Sequence, residues 1–133
     1  MSNIAISLSE SGPSDISEVR VDGAIDTITA GELEEVFNSL LKRGRYRIIV
    51  DLAGVDYISS AGWGIFISNI RDVRNHEGDI KLTNMVTNVY EIYDLLEFDN
   101  VLKAYDSLES ARGAFGDHTP SPSQKKKPAD RRG

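Results

Sequence analysis

Cysteine is absent from the 133 residues, which removes disulfide staples and thiolate chemistry and points to a reducing compartment. No stretch approaches the roughly 20 apolar residues needed to cross a bilayer. The opening residues, Met1-Ser-Asn-Ile-Ala-Ile-Ser7, lack the basic segment and apolar run of a secretory leader. A cytoplasmic protein without membrane insertion is the expectation. Histidine occurs only at positions 76 and 118, with no companion at ligand spacing for either, so neither a metal site nor a Ser-His pair is expected. The glycines form neither a P-loop nor a dinucleotide pattern. No cofactor is expected, and no enzyme.

What remains is the composition of an ordinary folded protein, with 40% hydrophobic and 27% charged residues. The length suits one domain with one core. Charge is unevenly spread: beyond residue 116 there are five Lys or Arg and two Asp, leaving that segment at +3 and the preceding residues at −9. The acidic part should repel nucleic acid and favour a basic protein partner. Residues 117–133, with three of the four prolines and Lys125-Lys126-Lys127, read as a disordered basic tail after a domain covering residues 1–116.

Within that domain Ile4, Ile6 and Leu8 alternate with polar residues, as do Val19, Val21 and Ala24 less regularly, around a turn at Ser11-Gly12-Pro13-Ser14. This predicts an opening β-hairpin. A Thr27 or Thr29 cap then precedes Leu33, Val36, Phe37, Leu40 and Leu41, a helical spacing closed by Gly44. Tyr46 to Leu52 contains the unbroken run Ile48-Ile49-Val50, the mark of a strand covered on both faces. Helical spacing returns from Ser60 to Asn75 with Gly78 as the stop, from Val89 to Leu96, and from Ser107 to Phe115; strands are predicted at Ile80–Met85 and Val101–Tyr105. The order is an α/β domain with a mostly parallel mixed sheet flanked by about four helices.

The chemistry sits where a buried strand runs into a helix, Asp51-Leu-Ala-Gly-Val-Asp-Tyr-Ile-Ser-Ser-Ala-Gly-Trp-Gly64. Ser59 and Ser60 fall at the helix N-terminus, where unpaired N–H groups and the positive end of the dipole accept negative charge. Two readings fit these residues. One serine caps the helix while Ala61, Gly62 and Gly64 allow close packing; or Ser60 accepts a phosphoryl group that leaves the fold intact and changes its partners. Trp63 is either an interface anchor or a core residue. Asp51 invites comparison with a receiver-domain phosphoacceptor, but the acidic pair expected after a first strand is missing. Asp51 is expected to end the strand and bond the loop backbone.

Three segments, Val21-Asp-Gly-Ala-Ile-Asp26, Ile48-Ile-Val-Asp-Leu52 and Val55-Asp-Tyr-Ile-Ser-Ser-Ala-Gly-Trp-Gly64, resemble the STAS domain of bacterial anti-sigma factor antagonists. The resemblance runs from residue 4 to about 115. It puts Ser60 on the family's phosphoacceptor serine, with Ser59 replacing the acidic residue usual before it and Trp63 replacing a common leucine. What it implies is a partner switch. The unmodified domain would bind an anti-sigma factor that is also a serine protein kinase, phosphorylation of Ser60 would release it, and a PP2C-type phosphatase would restore the serine. The implied docking set is Asp26, Ser59, Ser60, Ala61, Gly62 and Trp63, with Asp26 orienting the hydroxyl, contacting the kinase or capping the next helix. The domain is expected to be a monomer or weak dimer. The alternative is a STAS subunit of another assembly, such as a lipid ABC transporter or a signalling scaffold unrelated to sigma factors.

Overall fold

The computed structural model describes residues 4–10 and 15–116. The expected turn at 11–14 and the basic tail at 117–133 lie outside the described residues. Five strands, β1 (Ile4–Ser9), β2 (Ile16–Gly23), β3 (Arg47–Gly54), β4 (Asp79–Thr83) and β5 (Lys103–Tyr105), lie side by side in sequence order. The β1–β2 pair is antiparallel and the other three pairs are parallel. Four helices accompany them: α1 (Ala30–Lys42), α2 (Ser60–Asn75), α3 (Thr87–Leu95) and α4 (Leu108–Ala114). The expected α/β domain with its opening hairpin is the one observed.

Alternation along the strands decides which helix goes where. Val19 and Val21 of β2, Ile48, Val50 and Leu52 of β3, and Ile80 and Leu82 of β4 are buried in one cluster with Leu33, Phe37 and Leu40 of α1, Phe66, Ile70 and Val73 of α2, and Val89 and Tyr93 of α3. Phe37 meets Phe66 edge-on, ring centroids 5.9 Å apart. The other face carries Ile16 and Ile49, which pack under Ala111 of α4 with Tyr105, Leu108 and Phe115 around them. Ile48, Ile49 and Val50 are all fully buried, because successive side chains enter these two clusters in turn. Burying one such side chain stabilises the fold by about 1.5–3 kcal/mol, so β3 is the anchor of the domain.

Several element boundaries differ from expectation. β4 stops at Thr83 rather than Met85 because Asn84 turns left-handed, with φ 59°. α3 ends at Leu95 and Glu97 turns left-handed in the same way, with φ 57°. Val101 and Leu102 are not in the fifth strand; their N–H groups both reach Phe98 O at 2.8 Å, closing a 3₁₀ turn over Phe98–Asn100. Asp51 does not end β3, which continues to Gly54. Its Oδ1 accepts from Ala53 N and Asn84 Nδ2, each at 3.1 Å, so the loop-bonding part of that expectation holds.

Candidate functional site: a capped serine loop

Two loops meet at the C-terminal end of the sheet. Ile25 and Ile58 form an isolated parallel bridge, in which Ile25 N donates to Tyr57 O at 2.9 Å and Ser59 N donates to Ile25 O at 2.8 Å. The loop after β2 is thereby fixed beside the loop that opens α2. Both isoleucines are buried, so apolar packing holds the backbone bridge in place. Asn88 at the start of α3 adds a third side, its Nδ2 donating to Asp56 O at 2.5 Å.

The two serines divide the roles that the sequence left open. Ser59 is the N-cap of α2, extended at φ −78° and ψ 172°, and its Oγ accepts from Gly62 N at 3.2 Å. It is buried. Ser60, the first helical residue, is exposed, and its hydroxyl makes no hydrogen bond among the described residues. Capping therefore does not occupy Ser60. Ser59 engages the Gly62 N–H, and the first turn of α2 contains no acidic residue, so no charge on the helix itself occupies the favourable end of its dipole. Ser59→Ala is expected to lower stability by about 1 kcal/mol, read as a fall in the urea midpoint, whereas Ser60→Ala should leave the midpoint unchanged.

Asp26 is placed next to this loop but its carboxylate is engaged elsewhere. Oδ1 accepts from Ile28 N and Thr29 N, both at 2.9 Å. Those bonds, the Thr29 backbone first, hold its pKa below the usual carboxylate value against the opposing effect of desolvation. Thr29 has the N-cap position of α1 without a side-chain capping bond, its hydroxyl instead donating to Ala24 O at 2.7 Å. Of the three roles weighed for Asp26, the structure shows capping of the turn into α1 and no bond to Ser60.

The rest of the expected docking set is largely interior. Ala61 is half-buried against the core. Gly62 is buried, and a Cβ there would stand 2.7 Å from Ile25 Cγ2 and 2.9 Å from Ile58 Cγ2. Trp63, expected in the partner-facing set, is corrected by its surroundings: it is 3% exposed, with Phe98 at 4.8 Å, Phe66 at 6.1 Å and Tyr93 at 6.3 Å between ring centroids. The physical reason is helical phase, since Trp63 shares the inward face of α2 with Phe66 and Ile70. Sequence reasoning missed two residues that do face outward on these loops, Ile28 at 82% and Tyr57 at 53% exposure. Tyr57 was findable: it directly precedes the apolar Ile58, and neighbouring side chains of an extended segment point to opposite sides.

The groups weighed for catalysis are scattered. His76 stacks on Tyr46 with ring centroids 4.1 Å apart, at the far end of α2 from Ser60, and position 118 lies outside the described residues. No cluster of three or more His, Asp or Glu suited to a metal occurs among the described residues. No helix among them is long and apolar enough to cross a membrane.

Known proteins resemble this arrangement. The chain is 27% identical over 95 residues to BtrV of Bordetella bronchiseptica, covering 71% of this chain and 82% of that protein. It is 25% identical over 95 residues to the anti-sigma-B factor antagonist of Staphylococcus epidermidis, covering 71% and 88% respectively. Among solved structures, an anti-sigma factor antagonist from Mycobacterium paratuberculosis superposes with a TM-score of 0.71 at 21% identity, over 85% of this chain and 94% of that one. The phosphorylated form of SpoIIAA from Bacillus does so with a TM-score of 0.64 at 15% identity, over 83% and 98%. The STAS domain family model matches residues 10–111, a span that takes in every strand but β1 and the whole of the serine loop, and the chain is therefore a member of the STAS domain family.

Proposed function

We propose that this chain is an anti-sigma factor antagonist that docks an anti-sigma factor through the loop face around Ser60 and releases it when Ser60 is phosphorylated. The observation that carries this reading is the division of labour at the start of α2: Ser59 caps, and Ser60 is exposed with a hydroxyl that bonds nothing among the described residues. The names of the relatives support the antagonist role. Asp26, through the turn it caps, sets Ile28 beside the loop, and Ile28 and Tyr57 supply the exposed apolar contact surface that a partner would desolvate. Ser59, Ala61, Gly62 and Trp63 support this face from behind.

In this scheme the partner is itself a serine kinase and brings the ATP, while the domain contributes only the hydroxyl and the docking face. A phosphoryl group on Ser60 adds about −1.5 to −2 charge at neutral pH. The helix N-terminus accommodates that charge, so the fold survives, but an apolar or acidic partner surface laid over Ser60 does not. Moving a population from 1:99 to 99:1 takes about 5.5 kcal/mol of differential binding, which is within reach for a phosphate buried without a cation. A PP2C-type phosphatase would reset the switch.

The test is affinity capture followed by titration calorimetry with the parent chain, Ser60→Ala and Ser60→Asp. Ser60→Ala should retain the captured kinase with unchanged affinity, and Ser60→Asp should weaken it at least about tenfold, or 1.4 kcal/mol. Equal binding by both variants, or capture of a transporter ATPase indifferent to the substitution, overturns the reading.

A further inference from the structure

A second surface, away from Ser60, has the features of a docking site. β1 is an edge strand, and its inward side chains Ile6 and Leu8 form a shallow groove with Glu32, Glu35, Val36 and Ser39 of α1. Leu8 is 45% exposed there. The floor is thus apolar and one wall acidic. An edge strand with an uncovered leucine is a liability that folded proteins normally cover or charge.

We propose that this groove is occupied by the chain's own basic segment around Lys125-Lys126-Lys127. Charge selects the occupant. The residues up to 116 carry −9 and those beyond carry +3, so the body of a second copy would meet the acidic wall with like charge, whereas the terminal segment meets it with opposite charge. Lysine stems can lie along Ile6, Leu8 and Val36 while their ammonium groups face Glu32 and Glu35.

Reach agrees. The described chain ends just after Phe115, whose ring sits over Arg47 and Lys81, 5.4 Å from the guanidinium and 4.6 Å from the ammonium. Arg47 opens β3 and pairs in register with Ile16 of β2. Arg112 is ion-paired with Glu18, and Glu18 lies opposite Ser9 of β1. From Arg47 to Leu8, which is level with Val50 through Val19, is about 10 Å across two strand spacings and about 10 Å along them, about 14 Å in all, and passing round the sheet edge adds about 10 Å. The nine peptide steps from residue 116 to residue 125 span up to about 30 Å. A tethered segment also acts at an effective concentration in the millimolar range, so weak attraction suffices.

The absence of cysteine makes the test direct. Ser123→Cys in the full chain accepts one nitroxide label, and the readout is loss of methyl signal near it. The proposal predicts selective loss at Ile6, Leu8 and Val36, with Ile92 and Leu95 on α3 unaffected. The loss should vanish in about 1 M salt, where charges are screened within about 3 Å, and again when Lys125, Lys126 and Lys127 are all changed to Glu or when Glu35→Lys is introduced. Uniform or absent broadening at low salt overturns the proposal. Broadening that persists when a labelled chain is diluted into an isotope-enriched unlabelled one also overturns it, by assigning the contact to a second copy.

Discussion

Trp63→Ala is expected to lower folding stability by about 3–5 kcal/mol, the range for deleting a buried large aromatic side chain. Trp63 joins three elements, lying against Phe66 on its own helix, Tyr93 on α3 and Phe98 on the 3₁₀ turn. Its loss would leave a cavity between α2 and the α3 region that the fully buried Phe66 cannot fill without abandoning Phe37. The indole N–H has no hydrogen-bond partner among the described residues, so Trp63→Phe sacrifices no polar contact seen there and should cost much less. Denaturant midpoints of the two variants, with partner affinity measured well below those midpoints, separate the core role from an anchor role. An anchor would lose binding on substitution by alanine with an unchanged midpoint, and that result would sink the assignment to the core.

A second large effect is expected at Gly62, with Gly64 as its internal control. The Cβ of Gly62→Ala would approach Ile25 O to 3.2 Å as well as the methyls of Ile25 and Ile58. Both side chains are enclosed, so the strain should cost about 1–3 kcal/mol, exceeding the gain of up to about 1 kcal/mol that alanine brings to a helix. Gly64→Ala meets nothing within 4 Å and keeps that gain, so it should be neutral to stabilising. Because Ile25 and Ile58 form the bridge between the two loops, Gly62→Ala should also loosen the proposed docking face, visible as faster amide exchange at Ser59 and Ile25. Equal midpoints for the two alanine variants would mean that the contact between the loops yields without cost.

Much of this was legible from residue order. The Ile48-Ile49-Val50 run gave β3 its central place because a strand covered on both faces cannot alternate. The serine loop was legible too, since serine satisfies the unpaired N–H groups of a helix start and the small residues after it let that start pack closely. What periodicity could not decide was which serine caps. That depends on a single bond, Ser59 Oγ to Gly62 N, and a shift of one residue would reverse the roles. Trp63 was ambiguous because the helix start was uncertain by a residue or two: a start after position 63 would leave it in the loop, whereas a start at Ser60 puts it on the inward face with Phe66 and Ile70. The ends of β4 and α3 were missed because Asn84 and Glu97 turn left-handed without being glycine, and a single non-glycine residue in that conformation leaves no clear stop in the sequence.

The separation of duties between adjacent hydroxyls has a consequence for reading phenotypes in a living cell. Where one side chain both holds a fold and conveys a signal, altering it changes how much protein survives as well as what the protein says, and a fall in stability of about 1–2 kcal/mol can alter abundance several-fold. Under the proposed switch the message rests on Ser60, while the cap that maintains the fold rests on Ser59. Alleles locked on or off at position 60 should therefore accumulate to parental levels, so their effects report signalling alone, whereas damage at position 59 would surface first as turnover.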